Sequence, residues 1–371
     1  MTELEKKVTE LNIDRSDWEL VKFGDIAVQQ KQKVDRENTD LTRYVKGEHM
    51  HSEDLHLREW GELTDEYLGP AFIRKFEEGD ILYGSRRTYL RKVVIAPFEG
   101  ITSNTTFVVK ANESKIDKRL LPFIMLSEGF TQHSIKNSKG SVNPYINWKD
   151  LASYEFLLPP MEQQFQLYKL LSSIDDVLEN ELQLVSKLNT LRKSYMGKFQ
   201  TSSSTWEKVK IKQLMNFNYG KPLKESERLT GDYPVVSSSG VQGTHNDFVV
   251  EGPGIVVGRK GNVGEITWVE NSFWPIDTAY YVTLKKEYHF IPLKFIFFLL
   301  QSTNFKKFSI ATAVPGLNRD DALSMNVYIP DKNEIPKIVS EFEEIDNRKT
   351  ELDLILDKSK KLKKSIINQV F

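Results

Sequence analysis

The sequence predicts an α+β protein in which two mixed α/β globular domains are separated by two long antiparallel coiled-coil helices. The prediction rests on three observations: the chain repeats its own motifs, each copy ends in a long stretch with helical periodicity, and the segments before these stretches carry short strand patterns. A length of 371 residues leaves room for two or three domains. The repeat therefore predicts an internal pseudo-two-fold arrangement.

The internal repeat is long, and its matches keep the same order in both copies. Pro144-Tyr145-Ile146-Asn147 corresponds to Pro315-Gly316-Leu317-Asn318 at an offset of 171 residues. Further matches at the same or similar offsets are Trp18-Glu19 with Trp206-Glu207, Gly84-Ser85-Arg86 with Gly258-Arg259-Lys260, Ile174-Asp175 with Ile345-Asp346, and Leu191-Arg192 with Leu362-Lys363. The offset is larger near the start of the copies, which indicates insertions in loops of the first copy.

The repeat divides the chain into domains and connecting segments. The predicted segments are an N-terminal arm at 1–17, a first domain at 18–160, a central helix at 161–200, a linker at 201–205, a second domain at 206–331 and a C-terminal helix at 332–371. Runs of β-branched and aromatic residues predict strands at 106–109 and 279–284, and 248–258 is predicted to form a strand at 248–251, a turn and a buried strand. Apolar stretches predict short helices at 120–127 and 293–301.

The two long helices are predicted to pair with each other. Neither contains a proline after Pro336, and apolar residues recur three and four positions apart. A single helix of this kind would leave its apolar seam in water, so two in one chain predict an antiparallel pair. The predicted seam comprises Leu171, Ile174, Leu184, Leu191, Phe342, Ile345, Ile355 and Leu362.

Two divergent domains, each followed by an equivalent long helix, resemble the specificity subunit of type I restriction–modification systems. Gly254–Gly264 with Thr278-Ala279-Tyr280-Tyr281 is similar to the strand–turn–strand core of that family's target-recognition domains. Leu157–Gln164, which leads into the central helix, carries the same resemblance. Two departures are that the second copy lacks the Gln163-Gln164 pair and that the first lacks a glycine-rich turn after Arg86.

The resemblance implies a chain that is not an enzyme by itself and that reads double-stranded DNA. It implies two half-sites, one for each domain, with a gap fixed by the paired helices. It also implies two methyltransferase subunits and restriction subunits as partners. No cofactor is expected on this chain, whereas S-adenosylmethionine, ATP and Mg²⁺ are implied on those partners.

Local basic residues predict where DNA would bind, because the net charge of −1 favours no partner. Arginine and lysine bond guanine, asparagine and glutamine bond adenine, and glycine lets the backbone approach phosphates. The predicted DNA-binding residues are Ser85, Arg86, Arg87, Tyr89, Arg91, Lys92, Lys139, Ser141 and Asn143 in the first domain, and Ser238, Ser239, Gln242, His245, Asn246, Arg259, Lys260 and Asn262 in the second. The prediction is best supported at Arg86/Arg87 and Arg259/Lys260, because the two copies have positive charge at the same aligned position.

Motifs for catalysis or metal binding are incomplete. Gly254–Gly261 lacks the Lys-Ser/Thr of a phosphate-binding loop, and Asn143-Pro144-Tyr145 matches half of an amino-methyltransferase motif. Asp331 and Glu334 are expected to favour a helix start rather than to form a nuclease site. His49, His51 and His56 have ligand-like spacing, but their acidic neighbours make a solvated loop the simpler interpretation. No catalytic residue and no metal ligand is therefore assigned.

Composition narrows the remaining classes. The chain has no cysteine, which excludes disulfides and thiolate zinc sites, and its most apolar stretch is too short to span a bilayer. A cytoplasmic protein is expected.

The basic run of Lys358, Lys360, Lys361, Lys363 and Lys364 is explained by the helix dipole, with contact to the DNA backbone left open. The alternative function is a coiled-coil scaffold that binds proteins, which has no reason to keep aligned basic loops.

Overall fold

The structure is a computed structural model that describes residues 13–35, 38–64, 67–199, 206–308 and 316–371. The predicted linker and most of the predicted N-terminal arm lie outside the described residues. The chain forms two compact units: unit 1 comprises Met1–Glu181 with Ile355–Phe371, and unit 2 comprises Leu182–Leu354. Each unit thus contains one globular domain together with part of both long helices.

Unit 1 is built from antiparallel and mixed sheets with short helices. Its strands are β1 Glu19–Lys22, β2 Ala27–Gln30, β3 Arg43–Val45, β4 Gly61–Glu62, β5 Phe72–Phe76, β6 Ile81–Gly84, β7 Val93–Ile95, β8 Gly100–Ser103, β9 Thr106–Ala111 and β10 Glu155–Leu158. Its helices are α1 Phe23–Ile26, α2 Leu121–Leu126, α3 Glu128–Lys136, α4 Trp148–Ala152 and the start of α5, Met161–Lys198. The sheet orders are β2-β9-β6-β7, β4-β3-β8-β5 and β1-β10.

Unit 2 repeats this plan. Its strands are β11 Glu207–Lys210, β12 Met215–Tyr219, β13 Tyr233–Ser237, β14 Gly240–His245, β15 Gly254–Gly258, β16 Ile266–Val269, β17 Trp274–Pro275, β18 Ala279–Leu284 and β19 Asn326–Ile329. Its helices are α6 Ile211–Leu214, α7 Leu293–Ser302, α8 Arg319–Ser324 and the start of α9, Ile335–Val370. The sheet orders are β12-β18-β15-β16, β14-β13-β17 and β11-β19.

The sheet orders show that the sequence repeat is also a structural repeat. The sheet β2-β9-β6-β7 corresponds strand for strand to β12-β18-β15-β16, and the ribbon β1-β10 to β11-β19. The predicted strands at 106–109 and 279–284 are β9 and β18. The predicted strand at 248–251 is wrong, since only Val250 forms an isolated bridge, to Phe273. Each domain buries its own apolar core against the adjoining helices.

The long helices α5 and α9 run antiparallel in each unit. In unit 1, Lys363 binds the Asp175 carboxylate, and the Ser359 hydroxyl donates to Glu181 Oε1 at 2.9 Å. In unit 2, Arg192 Nε donates to Asp346 Oδ1 at 2.5 Å. Asp175 and Asp346 are repeat equivalents, as are Arg192 and Lys363, so each unit contains the same type of ion pair between its helices.

The apolar seam agrees with the prediction only in part. Leu171, Phe342 and Ile345 are buried, and Ile174 and Leu362 pack at the edge of the unit 1 core. The prediction is wrong for Leu184, Leu191 and Ile355, because their side chains are 47%, 44% and 47% exposed. Leu184 lies ten residues after Ile174, which places it about 80° around the helix. The seam instead continues with alternating steps of four and three through Leu178 and Glu181 to Arg192.

The Gln163-Gln164 pair ties the first domain to α5. Gln164 is 1% exposed; its Nε2 donates to Pro159 O at 2.9 Å and its Oε1 accepts from Asp117 N at 2.8 Å. Gln163 Oε1 accepts from Trp18 Nε1 at 2.8 Å. At the repeat-equivalent position of Gln164, unit 2 has Ile335, which is 2% exposed. A polar joint in one copy is therefore an apolar joint in the other.

None of the described helices combines the length and apolar character needed to cross a membrane.

A charged cluster holds the His56 loop on the helices of unit 1. His56 Nε2 lies 3.0 Å from Asp175 Oδ2, and Arg58 bonds both Asp54 and Glu179. The hydrogen bond to Asp175 raises the pKa of His56, although burial opposes it. Burial raises the pKa of Asp175, but His56 and Lys363 outweigh burial and leave that pKa below its usual value. The cluster therefore favours a charged imidazole facing a carboxylate.

The free energy of unfolding of unit 1 is expected to depend on His56. Because the folded pKa lies above the ordinary value of 6.5, the stabilisation is complete below pH 6.5 and is lost as pH rises through the raised pKa. Denaturant unfolding at a pH below 6.5 and at a pH above the raised pKa should show a lower free energy of unfolding at the higher pH. In His56→Gln this difference should disappear. His289→Gln changes an exposed histidine of unit 2 and should leave the pH dependence unchanged. An equal pH dependence in His56→Gln and the parent chain would contradict the assignment.

Candidate nucleic-acid interface

The same backbone junction forms in both units at the end of the central strand. In unit 1, Ile146 N donates to Ser85 O at 2.9 Å, just after β6. In unit 2, Leu317 N donates to Arg259 O at 2.8 Å, just after β15. Bridges follow between Arg86 and Tyr145 and between Lys260 and Gly316. The structure thus brings together two repeated motifs that lie about 60 residues apart in the chain, and each junction carries basic residues.

In unit 1 the junction supports a hairpin loop. Lys139 and Tyr145 exchange both backbone hydrogen bonds, at 2.8 and 2.9 Å, and close a loop with Val142 near its tip. Arg87 N donates to Pro144 O at 2.6 Å, which joins this loop to the arginine turn. Val142 is 90% exposed and Tyr145 is 42% exposed. An apolar tip and an aromatic ring are thus held beside two arginines.

The arginine turn has a backbone that favours glycine. Arg87 and Arg91 have φ values of 50° and 48°, and they flank the 3-10 turn Thr88–Leu90. In unit 2, Gly261 and Gly264 take positive φ values of 77° and 73° in the segment after β15. A non-glycine residue in this region costs of order 1–3 kcal/mol and often marks a functional site. The structure therefore shows what replaces the missing glycine-rich turn.

Most of the predicted residues of unit 1 lie on the surface. Those with exposed side chains are Arg86, Arg87, Tyr89, Lys139, Ser141 and Asn143. Lys139 Nζ is 3.1 Å from Asp150 Oδ2, and this contact lowers the pKa of Asp150. Lys92 is half-buried, and its Nζ donates to Gly47 O at 2.5 Å. The exposed members form a basic surface with interspersed aromatic rings, which suits a nucleic-acid backbone.

Two unit 1 assignments need correction. Ser85 is 5% exposed, and its hydroxyl donates to Thr105 O at 2.5 Å. Arg91 is also engaged, since its guanidinium lies 2.5 Å from Glu128 and 3.3 Å from Glu53. These side chains are occupied by contacts within the unit, so they support the loop rather than contact DNA.

The predicted residues of unit 2 divide in the same way. Ser239, Gln242, Asn246, Lys260 and Asn262 are exposed, and Asn262 Nδ2 donates to Ser239 Oγ at 3.2 Å. Ser238 and His245 are each 7% exposed, which corrects their assignment as DNA contacts. His245 Nδ1 accepts from Leu229 N at 3.0 Å, and its ring packs edge-on against Trp274. These two residues position the β13–β14 hairpin.

Sequence reasoning missed an aromatic–arginine cluster in unit 2. Arg259 lies 4.8 Å and Arg319 5.2 Å from the ring centroid of Tyr219. Arg319 aligns with Trp148, whose ring packs against Phe23 and Phe107 in unit 1. The sequence did contain one signal for this cluster, since unit 2 has the basic Arg319 where unit 1 has the aromatic Trp148. Val142 and Tyr145 were also not among the predicted DNA-binding residues, although Val142 lies between the predicted residues Ser141 and Asn143.

The other charged motifs have local partners. Lys363 pairs with Asp175, Lys364 with Glu53, and Lys361 with Asp357. Asp331 Oδ1 accepts from Asn333 N at 2.9 Å, beside the start of α9. The three histidines have separate contacts: His49 Nδ1 accepts from Lys46 N, His51 faces Glu59 and His56 faces Asp175.

Comparison with known proteins agrees with this geometry. The sequence profile of the type I restriction modification DNA specificity domain matches residues 15–190 and again 203–363. The specificity subunit of the type I restriction enzyme EcoDI from Escherichia coli is 26% identical over 196 residues, or 49% of this chain and 41% of that protein. The MjaVIII specificity subunit from Methanocaldococcus jannaschii is 25% identical over 241 residues, or 57% and 52%. The matched part of the chain spans about half the length of these curated relatives or less.

Solved structures show the same fold. The S subunit of a type I restriction–modification system from M. genitalium superposes with a TM-score of 0.63 at 16% identity, covering 98% of this chain and 97% of that one. A chain from a structure of a type I R-M system, described for its complex assembly and conformational transition, gives 0.60 at 14% identity, covering 95% and 97%. Since the family profile matches both copies of the repeat, the chain belongs to the family of type I restriction–modification DNA specificity subunits, whose members are recognition subunits without catalysis of their own.

Proposed function

We propose that the chain reads a two-part, asymmetric double-stranded DNA target, with one half-site for each domain. The observation that carries the proposal is the repeated junction, which presents Arg86 and Arg87 in unit 1 and Lys260 in unit 2 from equivalent positions. Exposed arginine and lysine next to aromatic rings suit contact with phosphates and base edges. The loops around the two junctions differ in sequence, so the two half-sites should differ as well.

The paired helices would set the gap between the half-sites. Helix α5 has 38 residues and α9 has 36, so at ~1.5 Å per residue they span about 57 and 54 Å. Both are continuous, and an ion pair joins them within each unit. These features support the proposal that the paired helices serve as the spacer.

The spacer role predicts a change of gap when the helices are shortened. Deleting one heptad from each helix, 182–188 and 352–358, keeps the alternation of the seam and both ion pairs. Each helix shortens by about 10 Å, or about three base pairs at 3.4 Å each. Methylation mapping in a host that carries the complex should give the same half-sequences with a shorter gap. Gln183→Ala with Lys358→Gln, exposed positions in the same segments, should leave the gap unchanged. A parental gap in the shortened chain contradicts the spacer role.

Partner subunits would supply the chemistry. We expect two methyltransferase subunits, which carry S-adenosylmethionine, and restriction subunits, which use ATP and Mg²⁺, with no cofactor on this chain. Exposed apolar residues on the helices support docking of partners. In unit 2, Leu184 and Leu191 lie two turns apart on α5 and are about half exposed; in unit 1, Val177 and Ile355 are similarly exposed.

A protein-binding scaffold is the second candidate, and the exposed helix residues favour it. The two functions differ in their response to salt. A DNA reader should bind a random duplex or heparin and release it as salt rises, because counterions are displaced from phosphates. A scaffold that binds only proteins should show no such retention at low salt.

A further inference from the structure

Two arginines from different parts of unit 2 lie over the Tyr219 ring. Tyr219 ends β12, Arg259 follows β15 and Arg319 begins α8. The guanidinium carbons lie 4.8 and 5.2 Å from the ring centroid. Tyr219 is 49% exposed, and its other neighbour, Tyr280, is 1% exposed and packs edge-on at 5.2 Å. A buried ring therefore supports an exposed one that holds both arginines.

Among the described residues, the contacts of each arginine occupy only part of its donor set. Arg259 Nη1 donates to Asp277 O at 3.0 Å, and Arg319 Nε lies 3.6 Å from Asp320 Oδ1. The backbone of Arg259 is fixed as well, by Thr278 on one side and Leu317 on the other. Tyr280 Oη donates to Leu317 O at 2.9 Å, which ties this junction to the aromatic stack. A guanidinium carries five N–H donors, so donors remain for a ligand.

The chemistry of this cluster favours guanine. A guanidinium stacked on an aromatic face keeps its planar edge available, and that edge matches the O6 and N7 acceptors of guanine. Stacking also reduces the side-chain entropy that an arginine loses when it binds. The side chain of Arg319 is 41% exposed, so it can be reached from solvent.

We propose that Arg259 and Arg319, positioned by Tyr219, read guanine bases in the half-site that unit 2 binds. The inference rests on the proposed DNA-reading function and deepens it, because it names residues and a base. Arg319 is the contact that the sequence did not suggest, and Tyr219 acts through the arginines as a positioning residue.

The test replaces single guanines of the mapped target by 7-deazaguanine, which lacks the N7 acceptor. Affinity is measured by competition with the assembled complex. One or two guanines, all in one half-site, should be sensitive by about 5- to 150-fold, the range of a bidentate arginine–guanine pair. In Arg319→Met, which keeps a side chain of similar length without N–H donors, sensitivity at one of these guanines should disappear. Tyr219→Phe keeps the ring and should keep the sensitivity, whereas Tyr219→Leu should lose it.

Controls separate this inference from the proposed function. Lys286→Ala removes one positive charge beyond the other end of β18 and should leave the pattern unchanged. Specific binding that is indifferent to every 7-deazaguanine, or sensitivity that persists in both Arg319→Met and Tyr219→Leu, overturns the guanine assignment alone. Absence of any specific target overturns the proposed function and this inference together. Thermal unfolding of Tyr219→Leu and Arg319→Met should show that the folded unit is retained in both variants.

Discussion

Replacing Arg86 and Arg87 together by serine is expected to weaken DNA binding by roughly 100-fold, since each contact of this kind is worth about 1–3 kcal/mol. Both side chains are exposed on the turn that the Pro144 carbonyl holds in place. If both arginines contact phosphates, the negative slope of log affinity against log salt concentration should become shallower by about 2. Fluorescence anisotropy with a labelled duplex across a salt series gives both quantities.

The matched control removes the same charge elsewhere in unit 1. Lys115 and Lys118 are exposed and lie beyond the end of β9 that is distant from the junction. Changing both to serine should reduce affinity only slightly and should leave half-site preference intact. Equal losses from the two double variants would mean that general charge, rather than the junction, determines binding.

Phe342→Ala is expected to lower the free energy of unfolding of unit 2 by about 3–5 kcal/mol, the usual cost of truncating a buried phenylalanine. Phe342 is 1% exposed, and its ring centroid lies 4.6 Å from that of Phe298 in α7 and 5.8 Å from that of Tyr195 in α5. It therefore joins α9 to both α5 and the domain core within unit 2. Equilibrium denaturation measures the loss.

Phe290→Ala is the control for this substitution, because Phe290 is 58% exposed in the same unit. Truncation there should change stability by less than about 1 kcal/mol. If Phe342→Ala were equally mild, the aromatic stack would not be what couples the helices to the domain.

The repeat was the most informative sequence feature. Together with helical periodicity it predicted the antiparallel helices, whereas local runs of apolar, aromatic and β-branched residues predicted the strands β9 and β18 and the helices α2 and α7. The seam was harder to read in its middle. Glu181 and Arg192 occupy seam positions there. Because their side chains are polar, the apolar pattern pointed to Leu184 and Leu191 instead.

The candidate site could be predicted only to the level of loops. Whether a loop side chain is free depends on partners far away in sequence, as with Arg91, which pairs with Glu128, and His245, which packs on Trp274. The Tyr219 cluster shows the same limit, since its members lie about 40 and 60 residues apart. Local sequence patterns predict that such residues lie in loops, but only the tertiary fold decides which of their side chains face solvent.

The left-handed backbone at Arg87 has a consequence for how the first domain changes over time. Glycine holds this kind of conformation with less strain, as Gly261 does in unit 2. Selection for thermostability alone would favour glycine at position 87, whereas the proposed contact with DNA would favour the guanidinium. The turn is thus a position where durability and recognition evolve in opposite directions.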